Sequence, residues 1–359
     1  MKPLERNSVK NIERLPNSEG RFNYLRLDKN EHLDMVSGHF LGEYKKLLTP
    51  EIISIYPEVM DIKRAIANYA GISRDLIVLS HGSDASIKQV FEVFAREKSD
   101  VVLLKPTYAM YGIYATIAGA NIKWIDCDDR FIVDEKRFID AIDKKVSIVA
   151  VPNPNSPTGS EFSRGFLLKC LKKCQRSGVL LLIDEAYFPF SKTTMVRYVE
   201  KEENLVVTRT FSKAFGLGGC RAGFMAVSPN LIRPVQKARP MYEINALSAL
   251  AIKVCMQNSA EAGRYAKRVR EGRDYIVKAC RELGLTPYPT NTNFINIRLP
   301  EKFNAGKLED FGKMNGVLFK GKLGAGCFKN CIRITLGPKR HMVKFTGLLK
   351  LFIKDNDER

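Results

Sequence analysis

Six short apolar runs in the middle of the chain constrain its fold more than any other feature. They cover residues 76–80, 101–104, 146–151, 179–184, 205–210 and 223–227. The runs are rich in β-branched residues and apolar at successive positions, which is typical of strands buried in a mostly parallel sheet. After the first run, Ile87, Val90, Phe91 and Phe94 recur at the spacing of one helix face. Alternating strands and helices predict an α/β sheet with helices on both faces.

The last third of the chain has a different pattern. It contains a long amphipathic stretch broken once, two candidate strands and a final helix, at residues 247–283, 293–299, 331–337 and 339–355. We therefore expect three parts: an N-terminal segment (1–45) that packs with a small domain, a large domain (46–245), and a linking helix with the small α+β domain (246–359). A chain of 359 residues with 45% hydrophobic residues can bury the cores that two domains need.

The net charge of +19 suits anionic partners such as nucleic acid, a membrane surface or phosphorylated small molecules. The basic residues are spread along the chain without a long basic tract, so a generally lysine-rich surface explains the charge equally well.

The cysteines and the N-terminal residues point to a cytoplasmic protein. None of the eight cysteines is spaced Cys-x-x-Cys and the four histidines do not cluster near them, so we expect neither a metal site nor a disulfide framework. Free thiols fit a reducing compartment. Residues 1–20 hold no apolar core of a secretory signal, and no stretch reaches the roughly 20 apolar residues of a membrane helix.

Residues 210–221 place one lysine, Lys213, among small residues, with Thr210 and Ser212 before it and Arg221 after it. A lysine amine is protonated at neutral pH and is then a poor nucleophile. Burial and nearby cations lower its pKa, and small neighbours leave room for a flat cofactor. An isolated Ser-Lys pair is more often a surface lysine in a loop, so the interpretation depends on the other motifs.

A second motif ends the apolar run 179–184 with Asp184 and continues to Tyr187. The carboxyl ends of strands are where α/β sheets bind ligands. A buried carboxylate there needs a cationic partner, and a protonated pyridine nitrogen would supply one. Asn155 and Ser156 follow another predicted strand and present polar groups at the same edge.

A third motif is a glycine turn at Gly82, between a predicted strand and a predicted helix that begins with Ser83 and Asp84. Free N–H groups at such a helix start bind anions. Thr210, Ser212 and Arg221 supply two hydroxyls and a guanidinium, which would complete a phosphate site. The turn is neither a dinucleotide-binding fingerprint nor a Walker loop.

Together, these motifs resemble the fold-type-I pyridoxal 5′-phosphate (PLP) enzymes, specifically the class I and II aminotransferases, and within them the histidinol-phosphate aminotransferases. The resemblance rests on residues 27–32, 55–58, 106–111, 153–159, 184–187, 209–224, 293–295 and 332–337. It implies an α/β fold, with a large PLP-binding domain built on a mostly parallel mixed sheet and a small α+β C-terminal domain.

The resemblance also implies roles for the matching residues. Lys213 corresponds to the lysine that bonds covalently to PLP and later moves protons, Asp184 to the partner of the ring nitrogen, and Tyr187 to a donor to the ring's phenolate oxygen. Tyr108 would stack on the ring. The phosphate-binding region corresponds to Gly82, Ser83, Asp84, Thr210, Ser212 and Arg221.

Further positions concern the partner and the substrate. Tyr56 matches a tyrosine that reaches the cofactor phosphate of the neighbouring subunit, which implies a homodimer with shared active sites. Arg333 matches the arginine that grips the substrate carboxylate. Lys320 stands where a second arginine is usual, and Asn30 and His32 belong to the segment at the mouth of the substrate site.

The chain departs from the family pattern beside the ring, where Ser156 replaces the usual asparagine. Either Ser156 or the preceding Asn155 would then contact the phenolate oxygen. Such departures put the substrate in doubt more than the cofactor. We expect an amino group to move from an amino acid, with glutamate as donor, to a small phosphorylated keto compound of the kind used in polysaccharide biosynthesis.

Two alternatives remain open. Threonine-phosphate decarboxylase-like enzymes share the quoted cofactor motifs, so the chain could instead decarboxylate a phosphorylated amino acid such as phosphothreonine or phosphoserine. A nucleic-acid-binding regulator with an aminotransferase-like domain is a weaker alternative. Such regulators carry an N-terminal DNA-binding domain, whereas the resemblance here begins by residue 27.

Overall fold

The computed structural model describes residues 5–10, 12–13, 20–324 and 326–357. The helices are α1 Gly38–Leu47, α2 Pro50–Ser54, α3 Met60–Ala70, α4 Gly82–Phe94, α5 Met110–Ile117, α6 Glu135–Asp140, α7 Arg164–Ser177, α8 Pro229–Lys237, α9 Ala246–Gln257, α10 Ala260–Glu282, α11 Ala305–Met314 and α12 Lys339–Asp357. The strands are β1 Leu25–Arg26, β2 Ile77–Ser80, β3 Asp100–Lys105, β4 Asn121–Asp126, β5 Val146–Pro152, β6 Leu180–Asp184, β7 Leu205–Thr210, β8 Gly223–Val227, β9 Thr286–Pro287, β10 Phe294–Arg298, β11 Val317–Leu318 and β12 Cys331–Thr335. Short 3-10 helices cover Arg21–Asn23, Arg74–Leu76, Val196–Glu200 and Gly326–Phe328.

A seven-stranded sheet forms the centre of the molecule, in the order β2-β8-β7-β6-β5-β3-β4. The neighbours from β7 to β4 pair in parallel, while β8 is antiparallel to both β7 and β2. This mostly parallel mixed sheet, with its helices, confirms the predicted α/β class. Parallel pairing also brings the carboxyl ends of β5, β6 and β7 to the same edge.

Both faces of this sheet are buried, which explains the continuous apolar runs. One face packs in a core that includes Ile66, Val149 and Val207, and the opposite face packs against Val90 and Phe91 of α4. Strand β4 was not predicted. It lies at the sheet's edge and buries only Ile125 fully, so it has no continuous apolar run.

The C-terminal third builds a second, smaller sheet, in which β10 pairs antiparallel with β12 and β9. Its core joins apolar residues of α10 and α12 to Leu27 and Leu33 from the N-terminal segment, and β1 pairs with β11. Phe40 of α1 and Ile252 of α9 pack instead against the core of the large sheet. The predicted long helix is indeed interrupted, between α9 and α10.

The three-part division at residues 45 and 245 stays a proposal, and part of its first segment lies outside the described residues. No helix within the described ranges is long and apolar enough to cross a membrane.

Candidate active site

A cavity of 540 Å³ lies where the carboxyl ends of the central strands meet the second sheet. Its wall contains most of the residues singled out in the sequence: Asn30, Ser83, Asp84, Tyr108, Ser156, Asp184, Tyr187, Thr210, Ser212, Lys213, Arg221, Lys320 and Arg333. Gly82 and Asn155 lie directly next to wall residues in the chain. The edge of the sheet therefore gathers motifs that are far apart in sequence, as expected for parallel strands.

Asp184 ends β6 and is almost fully buried, with 6% of its surface exposed. Its Oδ1 accepts a hydrogen bond from the Thr208 hydroxyl at 2.8 Å, and its Oδ2 accepts one from the Tyr111 hydroxyl at 2.8 Å. Burial raises the pKa of Asp184 to about 6, while these hydrogen bonds oppose the rise. A carboxylate in this state pairs favourably with a cation that enters the cavity.

Lys213 lies in the loop between β7 and β8, and its Nζ donates to the backbone carbonyl of Lys29 at 3.0 Å. Burial lowers the pKa of Lys213 to about 8, and the cations Arg333 and Arg221 contribute to the shift. About a tenth of this amine is therefore uncharged near pH ~7, far more than for an ordinary lysine, and can act as a nucleophile or a base.

Tyr187 is a largely buried residue in the wall of the same cavity as Lys213. Its hydroxyl accepts a hydrogen bond from Asn30 Nδ2 at 3.0 Å. Ser156 also hydrogen-bonds to this hydroxyl. Burial raises the pKa of Tyr187, so the phenol stays protonated and can donate to an oxygen in the cavity.

The structure distinguishes Ser156 from Asn155. The Asn155 side chain is buried and occupied: its Nδ2 donates to the Pro106 carbonyl and to Thr158 Oγ1, both at 2.9 Å, and its Oδ1 accepts from the Thr107 hydroxyl at 3.0 Å. Ser156 lines the cavity instead. Of the two candidates, Ser156 is therefore the one in the cavity wall.

An anion cradle forms where α4 begins at Gly82. The side chain of the N-cap residue His81 does not cap this helix start, so the first N–H groups of α4 are available to an anion. Arg221 lies close by, and its Nη1 donates to Ser212 Oγ and to the Gly218 carbonyl, both at 3.2 Å. Gly82 has a φ of +78°, and a Cβ there would lie 2.9 Å from Arg221 Nη2. Glycine at this position therefore lets the Arg221 guanidinium lie against the start of α4.

Arg333 and Lys320 stand side by side at the second sheet, where each backbone N–H donates to the other's carbonyl, at 2.7 and 3.1 Å. The Arg333 Nε is buried and has no hydrogen-bond partner among the described residues. Burial also lowers the pKa of this guanidinium. An N–H group that is buried without a partner is costly. Arg333 also lines the cavity, where its guanidinium can bind a carboxylate or phosphate ligand.

The structure does not bring His32 to this cavity, contrary to expectation. Its ring stacks on Tyr265 with centroids 3.4 Å apart and lines a separate cavity of 350 Å³. Burial lowers the pKa of His32 to about 4, so the ring is neutral. His32 therefore lines this second cavity rather than the one that contains Lys213.

Tyr56 lies outside the cavity as well. It is 69% exposed and stacks in parallel on Tyr242, with centroids 3.8 Å apart. This position leaves open its expected contact with a neighbouring subunit.

Sequence reasoning did not identify Lys29, Thr208 and Tyr111, which hydrogen-bond to Lys213 or to Asp184. Lys29 contributes a backbone carbonyl, which no residue pattern reveals. Thr208 and Tyr111 act on Asp184 rather than lining the cavity. The only signals were the position of Thr208 two residues before Thr210 and that of Tyr111 one helical turn after Tyr108.

Comparison with known proteins shows which group of proteins shares this arrangement. The family model described as aminotransferase class I and II matches residues 23–344. A histidinol-phosphate aminotransferase from Clostridium novyi is 27% identical over 335 residues, which cover 91% of each chain.

Solved structures of the same fold agree with this match. Histidinol-phosphate aminotransferase from Sinorhizobium meliloti, in complex with pyridoxal-5′-phosphate, superposes with a TM-score of 0.87 at 20% identity and covers 99% of both chains. L-threonine-O-3-phosphate decarboxylase from Porphyromonas gingivalis has a TM-score of 0.76 at 19% identity, covering 92% of this chain and 99% of its own.

Proposed function

Because this chain belongs to the class I and II aminotransferases and is a PLP-dependent enzyme, we propose that it transfers an amino group from glutamate to a small phosphorylated keto compound. The single observation that carries the proposal is that Arg333, whose buried Nε has no described partner, lines the same cavity as Lys213 and Asp184. This combination offers an anion site for the substrate beside a nucleophilic amine.

The residues present fit PLP. The uncapped start of α4 with Arg221 and Ser212 suits its phosphate, and Asp184 suits its ring nitrogen. Tyr187 and Ser156 suit its phenolate oxygen, and Lys213 suits the covalent bond to its aldehyde carbon. When bound, PLP acts as an electron sink that labilises bonds at the substrate's α-carbon.

The remaining chemistry falls to the chain's own groups. The Lys213 amine has a pKa of about 8 and is placed to act as a general base, which takes a proton from the substrate's α-carbon. The resulting ammonium then acts as a general acid and gives the proton back to the reacting group. The Tyr187 hydroxyl, held by Asn30, donates a hydrogen bond to the ligand's oxygen. Residues of the N-terminal segment and of the C-terminal third, such as Asn30 and Arg333, complete the cavity wall around these groups.

Substrate selection is assigned to Arg333 and Lys320. Arg333 offers a planar fork for a carboxylate, which glutamate and a keto acid both carry. Lys320 adds a second positive charge beside it. Two adjacent cations favour substrates with a further anionic group, such as a phosphate ester.

A homodimer completes the proposal. Large apolar side chains lie exposed around Tyr56, namely those of Ile53, Ile55, Met60, Met241, Tyr242 and Leu247. An exposed apolar group of this kind supports an interface with a second copy of the chain. Tyr56 of one subunit would then reach the phosphate of PLP in its partner. We place the dimer in the cytoplasm, in keeping with the eight free cysteines.

The test is a screen of half-reactions. The PLP-loaded enzyme is mixed with glutamate, without an acceptor, and 2-oxoglutarate is measured by mass spectrometry. The proposal expects about one 2-oxoglutarate per active site, and it expects that adding small phosphorylated keto compounds restores further turnover. Release of carbon dioxide from phosphothreonine or phosphoserine without keto-acid formation would instead favour decarboxylation.

A further inference from the structure

The carboxylate of Asp184 is held by hydroxyl groups from two different elements. Tyr111 of α5 donates to Oδ2 and Thr208 of β7 donates to Oδ1, each at 2.8 Å. The backbone N–H of Ala186 also hydrogen-bonds to the carboxylate. Each carboxylate oxygen is thus fixed by a separate hydroxyl, which sets the plane of the group.

Neither hydroxyl belongs to the cavity wall. Tyr111 and Thr208 are fully buried, at 0% exposure. The ring of Tyr111 packs against Phe91 and perpendicular to Tyr108, contacts that a phenylalanine would also make. The tyrosine hydroxyl therefore contributes nothing to this packing, and its one described partner is the Asp184 carboxylate.

The other charged and titratable groups around Asp184 do not replace these two donors. Glu185, next in the chain, faces Arg209, which it binds at 2.8 Å, and its charge disfavours ionisation of Asp184. Lys213 lines the same cavity, but its amine bonds to the Lys29 carbonyl. The remaining neighbours, Tyr108 and Tyr187, hydrogen-bond to Asp84 and Asn30.

We propose that Tyr111 and Thr208 are positioning residues that keep the Asp184 carboxylate ionised and fixed, and that they thereby set how far the pH can fall before the protein releases PLP. This inference rests on the proposed pairing of Asp184 with the ring nitrogen of PLP. Burial favours the neutral acid and the two hydroxyls favour the carboxylate, so removing either hydroxyl raises the pKa of Asp184. A protonated Asp184 no longer pairs with a ring cation.

The experiment measures the dissociation constant of PLP by equilibrium dialysis across a pH series, for wild type, Tyr111→Phe, Thr208→Val and Thr208→Ser. Taking each variant relative to wild type at the same pH cancels the titration of PLP itself. We expect Tyr111→Phe and Thr208→Val to bind PLP about tenfold more weakly near pH ~5.5 and less than about twofold more weakly near pH ~8. Thr208→Ser keeps a hydroxyl and should stay within about twofold of wild type throughout.

Tyr288→Phe is the matched control, because the Tyr288 hydroxyl donates to the Asp129 carbonyl, outside the cavity wall. It should leave the PLP dissociation constant unchanged at every pH. A loss of affinity in Tyr111→Phe and Thr208→Val that is the same at all pH values would overturn the proposal. So would a Thr208→Ser variant that behaves like Thr208→Val.

The Asp184→Asn variant distinguishes failure of this inference from failure of the proposed pairing between Asp184 and the ring nitrogen of PLP. If Asp184→Asn binds PLP as tightly as wild type, the pairing of Asp184 with PLP is wrong. If Asp184→Asn binds weakly while the hydroxyl variants show no pH-dependent loss, only the positioning role is wrong. Thermal unfolding without PLP establishes whether each variant folds. If one of Thr208→Val and Tyr111→Phe does not fold, the other is sufficient to test the inference.

Discussion

The amine of Lys213 donates a hydrogen bond to the backbone carbonyl of Lys29, 3.0 Å away and 184 positions earlier in the chain. The segment around Lys29 is tied to β11 and to β12 of the second sheet. The Leu27 N–H donates to the Leu318 carbonyl of β11 at 2.6 Å, and the Thr335 N–H of β12 donates to the Leu27 carbonyl at 2.8 Å. The N-terminal segment therefore joins the second sheet to the reactive lysine. Small movements of this segment would change how the amine is held.

Gly82 provides a test of the anion cradle. Gly82→Ala places a Cβ against the Arg221 guanidinium at a residue with φ +78°, so we expect about a tenfold or greater loss of PLP affinity and about 1 kcal/mol lower stability. Gly178→Ala is the matched control, since Gly178 has φ +68° and nothing within 4 Å of its Cβ position. The control should lose similar stability but no affinity. Equal PLP affinity in the two variants would argue against a phosphate site at Gly82.

Arg333 provides a test of substrate recognition. Arg333→Ala removes a charge-assisted hydrogen-bonding pair, so kcat/KM for glutamate should fall on the order of 100-fold, mainly through KM. Arg333→Lys, which keeps charge without the planar fork, should fall between wild type and Arg333→Ala. Steady-state kinetics across a glutamate series measures both, with the exposed Arg281→Ala as control. A KM that stays unchanged in Arg333→Ala would remove this residue from the substrate site.

Because Asp184 is buried, we expect it to lower the stability of the PLP-free protein at neutral pH while it strengthens PLP binding. Its pKa of about 6 in the fold lies above the ordinary value of 3.8, so the folded protein without PLP binds more protons than the unfolded chain between these pH values. The contribution of Asp184 to the free energy of unfolding is therefore lost as the pH rises through about 6. Asp184→Asn should stabilise the PLP-free protein at neutral pH by about 1–3 kcal/mol while it weakens PLP binding. Denaturant titrations at pH ~5 and ~8 measure the difference, which should shrink at the lower pH. If Asp184→Asn is less stable than wild type at both pH values, burial of the ionised Asp184 does not destabilise the PLP-free protein.

Lys213 predicts the pH dependence of covalent attachment. Its pKa of about 8 is below the ordinary 10.5, and only the uncharged amine attacks an aldehyde. The rate of PLP attachment to the PLP-free protein should therefore rise with pH and level off above about pH 8. Stopped-flow absorbance follows this rate directly. A rate that still rises steeply between pH ~9 and ~10 would mean that the fold does not lower this pKa.

Much of the fold followed from local pattern, because strands buried on both faces leave continuous apolar runs, as in β5 and β6. Strand β4 was not predicted because it is a half-exposed edge strand, in which the apolar residues do not form a continuous run. The motifs at strand ends predicted the cavity, since parallel pairing brings those ends to one edge. Whether Ser156 or Asn155 faces the cavity depended on hydrogen bonds to Pro106 and Thr107, about fifty positions earlier. The orientation of His32 depended on Tyr265, a contact between distant segments that no local pattern encodes.

The most direct measurement locates the covalent bond to PLP. The PLP-loaded protein is reduced with borohydride, which fixes a lysine–PLP bond as a stable amine, then digested and mapped by mass spectrometry. We predict one pyridoxyl group, carried by the peptide that contains Lys213, and none on Lys213→Ala, which should also lose nearly all transaminase activity. A pyridoxyl group on another lysine such as Lys29, or full activity in Lys213→Ala, would contradict the assignment.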